Sequence, residues 1–180
     1  VMLAVIADGS FFKERENSKY CRFHIKKDRK KNELRRIFKE ANISWKEVKS
    51  ARAGYTDFYI IAPRREKIFT PYWYDCSQEQ LQLICDNILF WDGSVKGKRK
   101  NFSTSIKATA DFVQYAFSAC GYKATISEGN RFGQEYITCG KKYIRKSIDY
   151  QVNITKQNKV TVTSNPKNKH KVPILPYKTL

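Results

Sequence analysis

The fold is decided by two apolar segments that end in the same tripeptide: Val1–Ala7 (VMLAVIA) precedes Asp8-Gly9-Ser10, and Leu81–Trp91 (LQLICDNILFW) precedes Asp92-Gly93-Ser94. The two aspartates are 92 − 8 = 84 positions apart. Similarity that recurs at one long spacing is typical of a duplicated structural unit. The chain is therefore predicted to contain two copies of one unit, each beginning with an apolar element.

Both apolar segments are predicted to be helices. Ser77 and Gln80 form a capping box, which marks the start of the second helix. Apolar side chains then recur on one helical face, at Leu81, Ile84, Cys85 and Ile88. The first segment is apolar on all sides, which suits a helix buried between other elements.

A basic hairpin, a helix and two further strands are predicted after each aspartate. The hairpin strands are 11–15 with 19–27, around the turn Glu16-Asn17-Ser18, and 94–100 with 101–105, around Gly97. The helices that follow end at Asn42 and Gly121, residue types that tolerate the left-handed conformation after a helix. The closing strands are 43–49 and 55–62 in the first copy, and 122–127 and 134–140 in the second.

The fold class predicted from this order is α+β, with two αββαββ repeats related by a pseudo-twofold axis. The first copy spans 1–63, a connector spans 64–76, and the second copy spans 77–149. A C-terminal hairpin and a basic tail are expected over 150–180, with the hairpin at Tyr150–Ser164.

The composition points to a polyanionic partner. Among 180 residues, 35 are Lys or Arg and 17 are Asp or Glu, which gives a net charge of +18. Nucleic acid is the expected partner of so basic a chain. The sequence contains no run of 18 apolar residues, so no membrane span is predicted. It contains no G-x-x-x-x-G-K-[ST] loop, so no nucleotide cofactor is predicted.

The cysteines and histidines argue against a zinc site. Five cysteines are present without a C-x-x-C pair, and there are only two histidines. Zinc sites need Cys or His pairs at short spacing. The cysteines are interpreted as reduced core thiols of an intracellular protein, acting in a compartment that contains DNA.

An aspartate at a helix C-terminus faces the negative end of the helix dipole, which is unfavourable unless a cation lies beside it. One carboxylate from each copy, Asp8 and Asp92, would form a symmetric acidic pair of the kind that holds Mg²⁺ with few protein ligands. Basic strand faces on both sides of such a pair suit the cleavage of a DNA phosphodiester. One Asp-Gly-Ser alone is an ordinary turn signal, so it is the repetition that favours catalysis.

The chain resembles the single-chain LAGLIDADG homing endonucleases. Val1–Gly9 and Cys85–Gly93 look like the two motif copies, and Asn101–Ile126 is similar to endonuclease domains carried inside inteins. The resemblance implies a DNA-binding saddle of antiparallel sheets and a metal-dependent double-strand break at a long asymmetric site. It implies a monomer that belongs to a larger intein or host protein, with Asp8 and Asp92 as catalytic metal ligands for Mg²⁺, Mn²⁺ or Ca²⁺.

The motif helices depart from the family at the positions where small residues allow close approach. Those positions hold Leu3 in the first copy, and Asn87 and Trp91 in the second. We expect Trp91 to pack against Ala4 or Ala7, which would offset its bulk.

The candidate DNA-binding residues follow the basic hairpins and strands. Clean alternation over 19–27 predicts that Arg22, His24 and Lys26 share an exposed face. The full set is Arg22, His24, Lys26, Lys46, Arg52, Lys96, Lys98, Arg99, Lys100, Ser103, Lys123, Arg131, Gln134, Lys141 and Lys142. A catalytic lysine often accompanies the acids in this family, and Lys26, Lys67 and Lys107 are the candidates.

Two other classes of protein were weighed. The same scaffold with an inactive site would be a DNA- or RNA-binding module, such as a maturase or a regulator. A basic structural protein, such as a ribosomal component, leaves the two buried helices that end in acids unexplained. Other nuclease classes fit less well, because two histidines cannot supply an HNH-type site.

Overall fold

The computed structural model describes residues 1–12, 18–97, 99–129, 132–138 and 140–156. Its first half runs α1 (Met2–Asp8), β1 (Gly9–Phe11), β2 (Tyr20–Ile25), α2 (Asp28–Glu40), β3 (Trp45–Lys49) and β4 (Thr56–Ile61). These strands form an antiparallel sheet of order β1-β2-β4-β3. The predicted turn residues Glu16 and Asn17 lie outside the described residues.

The second half repeats this order, with a separate two-stranded hairpin inserted before its last strand. A short 3₁₀ helix (Pro71–Asp75) leads into the second half, whose elements are α3 (Gln78–Asp92), β5 (Gly93–Lys96), β6 (Arg99–Thr104), α4 (Lys107–Ala119), β7 (Tyr122–Gly129), β8 (Glu135–Thr138), β9 (Lys141–Ile144) and β10 (Asp149–Lys156). The second sheet has the order β5-β6-β10-β7, while β8 and β9 pair only with each other. The duplicated α+β architecture predicted from the sequence is confirmed.

The identity of the last strand in the second copy was predicted wrongly. Of the predicted strand 134–140, Glu135–Thr138 forms β8, which pairs with β9 and not with the main sheet. The position between β6 and β7 is filled by β10, which was expected in a separate C-terminal hairpin. The physical reason is burial: β10 places Val152 and Ile154 in the core, whereas Ile137 of β8 is 69% exposed.

Each half has its own core, and each motif helix contributes side chains to the core of the other half. The first core contains Phe23, Leu34, Phe38 and Phe58, and the second contains Phe102, Phe112 and Phe117. Leu3 and Ile6 of α1 pack against the second core, while Trp91 of α3 belongs to the first. Trp91 shares that cluster with Ala4, and Ala7 packs against it, as the sequence led us to expect. This exchange places the C-terminal ends of α1 and α3 side by side.

Local sequence signals explain where the helices begin and end. The Ser77 hydroxyl accepts from the Gln80 amide at 3.3 Å, and Gln80 Oε1 accepts from the Ser77 amide at 2.9 Å. Asn42 and Gly121, which follow α2 and α4, have φ angles of 51° and 78°. These contacts and angles confirm the predicted capping box and helix ends.

Gly9 and Gly93 are required by close approach of the backbone. A Cβ on Gly9 would lie 2.7 Å from both Cys21 Sγ and the Val5 carbonyl oxygen, and a Cβ on Gly93 would lie 2.6 Å from the Leu89 Cα. The chain therefore leaves each motif helix by folding back against its last turn. This close approach explains why a glycine follows the aspartate in both copies of the motif.

Two expectations about the whole chain concern its thiols and the membrane. Cys21, Cys76, Cys85 and Cys120 are free thiols, and Cys139 lies outside the described residues. Burial raises the pKa of the Cys21 thiol to about 11, which makes it a poor nucleophile. Over the ranges that the structure covers, every helix is too short or too polar to cross a membrane.

Candidate metal centre and nucleic-acid interface

The two motif aspartates end α1 and α3, which pack against each other. Asp92 keeps access to solvent, yet the surrounding protein removes part of its hydration. This desolvation raises the pKa of the Asp92 carboxyl, and the negative charge of Asp8 raises it further. The two carboxylates are therefore within electrostatic reach of each other, as the duplicated motif predicted.

Lys30 is the site residue that the sequence reasoning missed. Its Nζ lies 2.5 Å from Asp8 Oδ2 and 5.7 Å from the centre of the Trp91 ring. The Lys30 side chain is only 11% exposed. Lys30 shares the buried face of α2 with Leu34 and Phe38, at i, i+4 and i+8. A lysine on an otherwise apolar stripe was the signal that could have identified it.

Lys67 is a second lysine near the acidic pair. Its Nζ donates to the carbonyl oxygens of Val5 at 2.7 Å and Ile6 at 2.6 Å, in the last turn of α1. Burial is the largest influence on the pKa of Lys67 and lowers it, while the charges of Cys21, Asp8 and Asp92 oppose that shift. Lys67 thus supplies the cation that α1 lacks in its own last turn.

The other two lysine candidates lie elsewhere. Lys107 pairs with Asp111 one turn along α4, and Lys26 Nζ lies 6.0 Å from the centre of the Tyr55 ring. Of the three candidates, the structure brings Lys67 to the acids.

Arg29 donates to a carbonyl oxygen in the last turn of α3, as Lys67 does in the last turn of α1. Its Nη1 donates to the Phe90 carbonyl oxygen at 3.1 Å, and its guanidinium lies 4.7 Å from the centre of the Phe90 ring. The last turn of α3 has no basic residue of its own. A cation from the first half therefore stabilises the helix end that carries Asp92.

The donor set of this centre fits a hard divalent cation. Asp8 and Asp92 offer carboxylate oxygens, which Mg²⁺, Mn²⁺ and Ca²⁺ prefer over nitrogen or sulfur. Within the described ranges, His, Cys, Asp and Glu do not gather in groups of three or more. Two carboxylates would leave most coordination positions to water and to phosphate oxygens, as Mg²⁺ sites on nucleic-acid substrates commonly do.

The first sheet presents a charged and aromatic open face. Arg22, His24 and Lys46 lie there, since their cross-strand partners are Tyr59 and Asp57 and not the buried Phe58 and Ile60. Lys26 and Arg52 lie beside this face, both near the ring of Tyr55. Tyr20 and Tyr59 stack across the strands with ring centres 5.7 Å apart.

The open face of the second sheet is mostly neutral and polar. The register brings to this face the predicted residues Lys96, Arg99, Ser103 and Lys123. Between them lies a hydrogen-bonded group that the sequence reasoning did not single out. Asn101 Nδ2 donates to Asn153 Oδ1 at 3.0 Å, and Asn153 Nδ2 donates to Ser127 Oγ at 3.3 Å.

Six predicted DNA contacts do not reach this second face or are not described there. Lys100 pairs across the sheet with Ile154 and lies over the Tyr122 ring at 5.0 Å, on the core side. The β8–β9 hairpin contains Lys142, which pairs with Glu135 at 3.6 Å, and it contains the backbone of Lys141. Lys98 and Arg131 lie outside the described residues. Gln134 precedes β8, where its carbonyl accepts from the Arg145 amide at 3.0 Å.

Comparison with solved structures shows that other proteins share the fold of this chain. No family model and no curated protein sequence matches the chain. Variants of the homing endonuclease I-DmoI match with a TM-score of 0.54 and 14% identity over 86% of this chain and 85% of that chain. I-DmoI in complex with DNA and Mn matches with a TM-score of 0.53 and 13% identity over 86% of each chain.

A second kind of protein shares the fold. Full-length DUF199/WhiA from Thermotoga maritima matches with a TM-score of 0.54 and 9% identity, over 84% of this chain and 48% of that chain. At these identities the likenesses establish architecture alone. The fold expected from the LAGLIDADG resemblance is confirmed, and the chemistry must be argued from the chain's own residues.

Proposed function

We propose that this chain is a divalent-metal-dependent endodeoxyribonuclease that breaks both strands of duplex DNA at a long asymmetric site. The observation that carries the proposal is the proximity of Asp8 and Asp92 at the ends of the packed helices α1 and α3, in a molecule whose two sheets have open polar faces. A structural or ribosomal role gives no reason for two carboxylates to be held at the negative ends of two packed helices. The solved complex of I-DmoI with DNA and Mn supports the choice of partner and metal class.

Asp8 and Asp92 are the residues that would hold the cation. A divalent ion bound there lowers the pKa of water and neutralises charge on the phosphate. Lys30 compensates the charge of the Asp8 carboxylate and fixes its orientation through the 2.5 Å ion pair. Lys67 holds the last turn of α1 in place through its two carbonyl contacts, and its charge compensates both acids.

The DNA would lie across both open faces, because each face carries cations at its margins. Lys26, Lys46 and Arg52 of the first half and Lys96, Arg99 and Lys123 of the second would then contact phosphates. The faces differ in chemistry, since one is charged and aromatic and the other is rich in amides and hydroxyls. A single chain acting as a monomer would therefore read two dissimilar half-sites, which makes the target asymmetric.

A binding module without cleavage is the second candidate function, and one contact favours it. Lys30 Nζ already occupies the neighbourhood of Asp8 Oδ2, so a metal must compete with an internal cation. A maturase or regulator would keep the two faces and need no metal. The fold shared with DUF199/WhiA supports this reading at the level of architecture.

One experiment separates the two functions. A randomised duplex library is incubated with the full chain in Mg²⁺, Mn²⁺, Ca²⁺ or EDTA, and both bound and cut molecules are sequenced. Selective cutting in Mg²⁺ or Mn²⁺ and none in EDTA supports the nuclease. Enrichment of bound sequences with no cutting in any metal would overturn it in favour of the binding module.

A further inference from the structure

A carboxylate lies in the middle of the cationic face of the first sheet. Asp57 is on β4, opposite His24 of β2, and the register directs it to the open face. It is nevertheless only 6% exposed. A negative charge on a surface that meets phosphates weakens binding, so its presence there calls for a compensating role.

Asp57 is covered by the two side chains that it binds. Arg22 donates to Oδ1 from Nε at 3.1 Å and from Nη2 at 3.0 Å, and Nη2 also lies 2.9 Å from Oδ2. His24 Nδ1 lies 2.7 Å from Oδ1. Burial, the largest single influence, would raise the pKa of Asp57, but the hydrogen bonds and charges of Arg22 and His24 together outweigh it and lower that pKa. The carboxylate is thus ionised and its acceptors face the protein.

The same contacts fix what Arg22 and His24 present outward. Nη1 is the guanidinium nitrogen of Arg22 that Asp57 does not engage. An ionised carboxylate only accepts, so the proton on His24 Nδ1 must point at Asp57, which leaves Nε2 as the ring nitrogen that Asp57 does not engage. The Tyr55 ring stacks on His24 at 4.4 Å with an interplanar angle of 10°, so the imidazole plane is also fixed.

We propose that Asp57 is a positioning residue for base readout, a role that rests on the proposed DNA-binding function. It holds Arg22 Nη1 as a donor for the acceptor edge of guanine and aims His24 Nε2 at the edge of a second base. Residues two apart on a strand are separated by about 6.7 Å, close to two base-pair steps of about 3.4 Å. The pair therefore reads two positions of one half-site in the major groove.

A positioning role and a purely structural role predict different outcomes for Asp57→Asn. The asparagine removes a negative charge from the DNA face, so affinity for non-specific duplex should rise. Orientation of Arg22 and His24 is lost at the same time, so preference at their two base positions should fall by about 10- to 100-fold. A purely structural loss would lower binding to every sequence together.

The test is binding selection from a randomised duplex library in Ca²⁺, with the full chain and its variants. Glu47→Gln is the matched control. Glu47 lies on the same sheet, but on the face that α2 covers, where it pairs with Arg35 of that helix. We expect Asp57→Asn to relax two positions of the selected site that lie two base-pair steps apart and to keep the others, and Glu47→Gln to keep all of them. An unchanged base profile in Asp57→Asn would overturn the inference and leave the proposed function standing.

Two further arms keep the result interpretable. Arg22→Lys retains the charge but cannot bind Asp57 and a base as a planar fork does, so it should relax one of the two positions. If Asp57→Asn fails to fold, retention of both positions by Arg22→Lys and by His24→Gln overturns the inference. If the unmodified chain selects no sequence at all, the proposed function falls, and this inference falls with it.

Discussion

Lys30 Nζ lies 2.5 Å from Asp8 Oδ2, inside the centre that also contains Asp92. Lys67, whose Nζ binds the last turn of α1, is a second lysine close enough to feel the charge of both acids. A metal ion that binds at this centre must therefore displace or share the internal cation that already pairs with Asp8.

Replacing either motif aspartate should abolish cleavage and spare binding. Asp8→Asn and Asp92→Asn each remove a metal ligand, and the loss of several kcal/mol of charge stabilisation corresponds to about 10³-fold in rate. Single-turnover cleavage and duplex binding would be measured on one target. Asp86→Asn is the control, since Asp86 lies on the exposed side of α3 and accepts from Gln82. Full cleavage by either motif variant would contradict the assignment.

Removing Lys30 should make the protein depend more on metal. Lys30→Met leaves Asp8 without its cation, so Tm falls in EDTA, and Ca²⁺ should restore more of it than it adds to the unmodified chain. Thermal melts across a Ca²⁺ titration measure both effects. Lys31→Met, which removes a pair with the exposed Asp28, is the matched control. Equal gains from Ca²⁺ in all three proteins would show that Lys30 and the cation do not compete.

The pH dependence of the free energy of unfolding should reveal the raised pKa of the Asp92 carboxyl. The folded state raises its pKa, through desolvation first and the charge of Asp8 second. A raised carboxyl pKa stabilises the fold below the unfolded value of about 3.9, and that contribution is lost as pH rises through the folded value. In EDTA at neutral pH, Asp92→Asn should therefore melt above the unmodified chain. A lower Tm for this variant at neutral pH would contradict the sign of the shift.

The glycines after the aspartates should tolerate no side chain. Alanine at position 9 or 93 places a Cβ within 2.7 Å or 2.6 Å of the preceding helix, and we expect each to cost about 1–3 kcal/mol in the free energy of unfolding. Urea denaturation measures this cost. Ser10→Ala, at an exposed neighbouring position, is the control. A neutral effect at both glycines would mean that the chain leaves the helices differently.

The salt dependence of DNA binding should identify the phosphate contacts. Lys123→Ala removes a cation from the open face of the second sheet, and the slope of log K against log salt should fall by about 1. Lys39→Ala removes an exposed cation from α2, which lies on the opposite side of the first sheet. That control should leave the slope unchanged. Equal slopes for Lys123→Ala and the unmodified chain would exclude this face from phosphate contact.

The sequence was sufficient for the features that repeat or are local. Asp8 and Asp92 were found because the same tripeptide ends two apolar runs, and Asn42 and Gly121 because helix ends favour those residue types. Lys30 was hidden because a lysine in a basic helix looks solvated until the packing of α2 is known. The role of Asp57 depends on strand register, since it lies 33 residues from its partner His24. The insertion of β10 between β6 and β7 likewise follows from tertiary packing and not from chain order.

The crossing of Leu3, Ile6 and Trp91 between the two cores has a consequence for how the molecule could be rebuilt. Neither half, cut free at the connector, keeps a complete interior: the first would lose Trp91 and the second would lose the apolar side of α1. Two such fragments should assemble only as a complementary pair, and a chimaera that takes one half from another protein must take the facing helix residues as well. The duplicated unit has thus become half of an interlocked whole, no longer a module that stands alone.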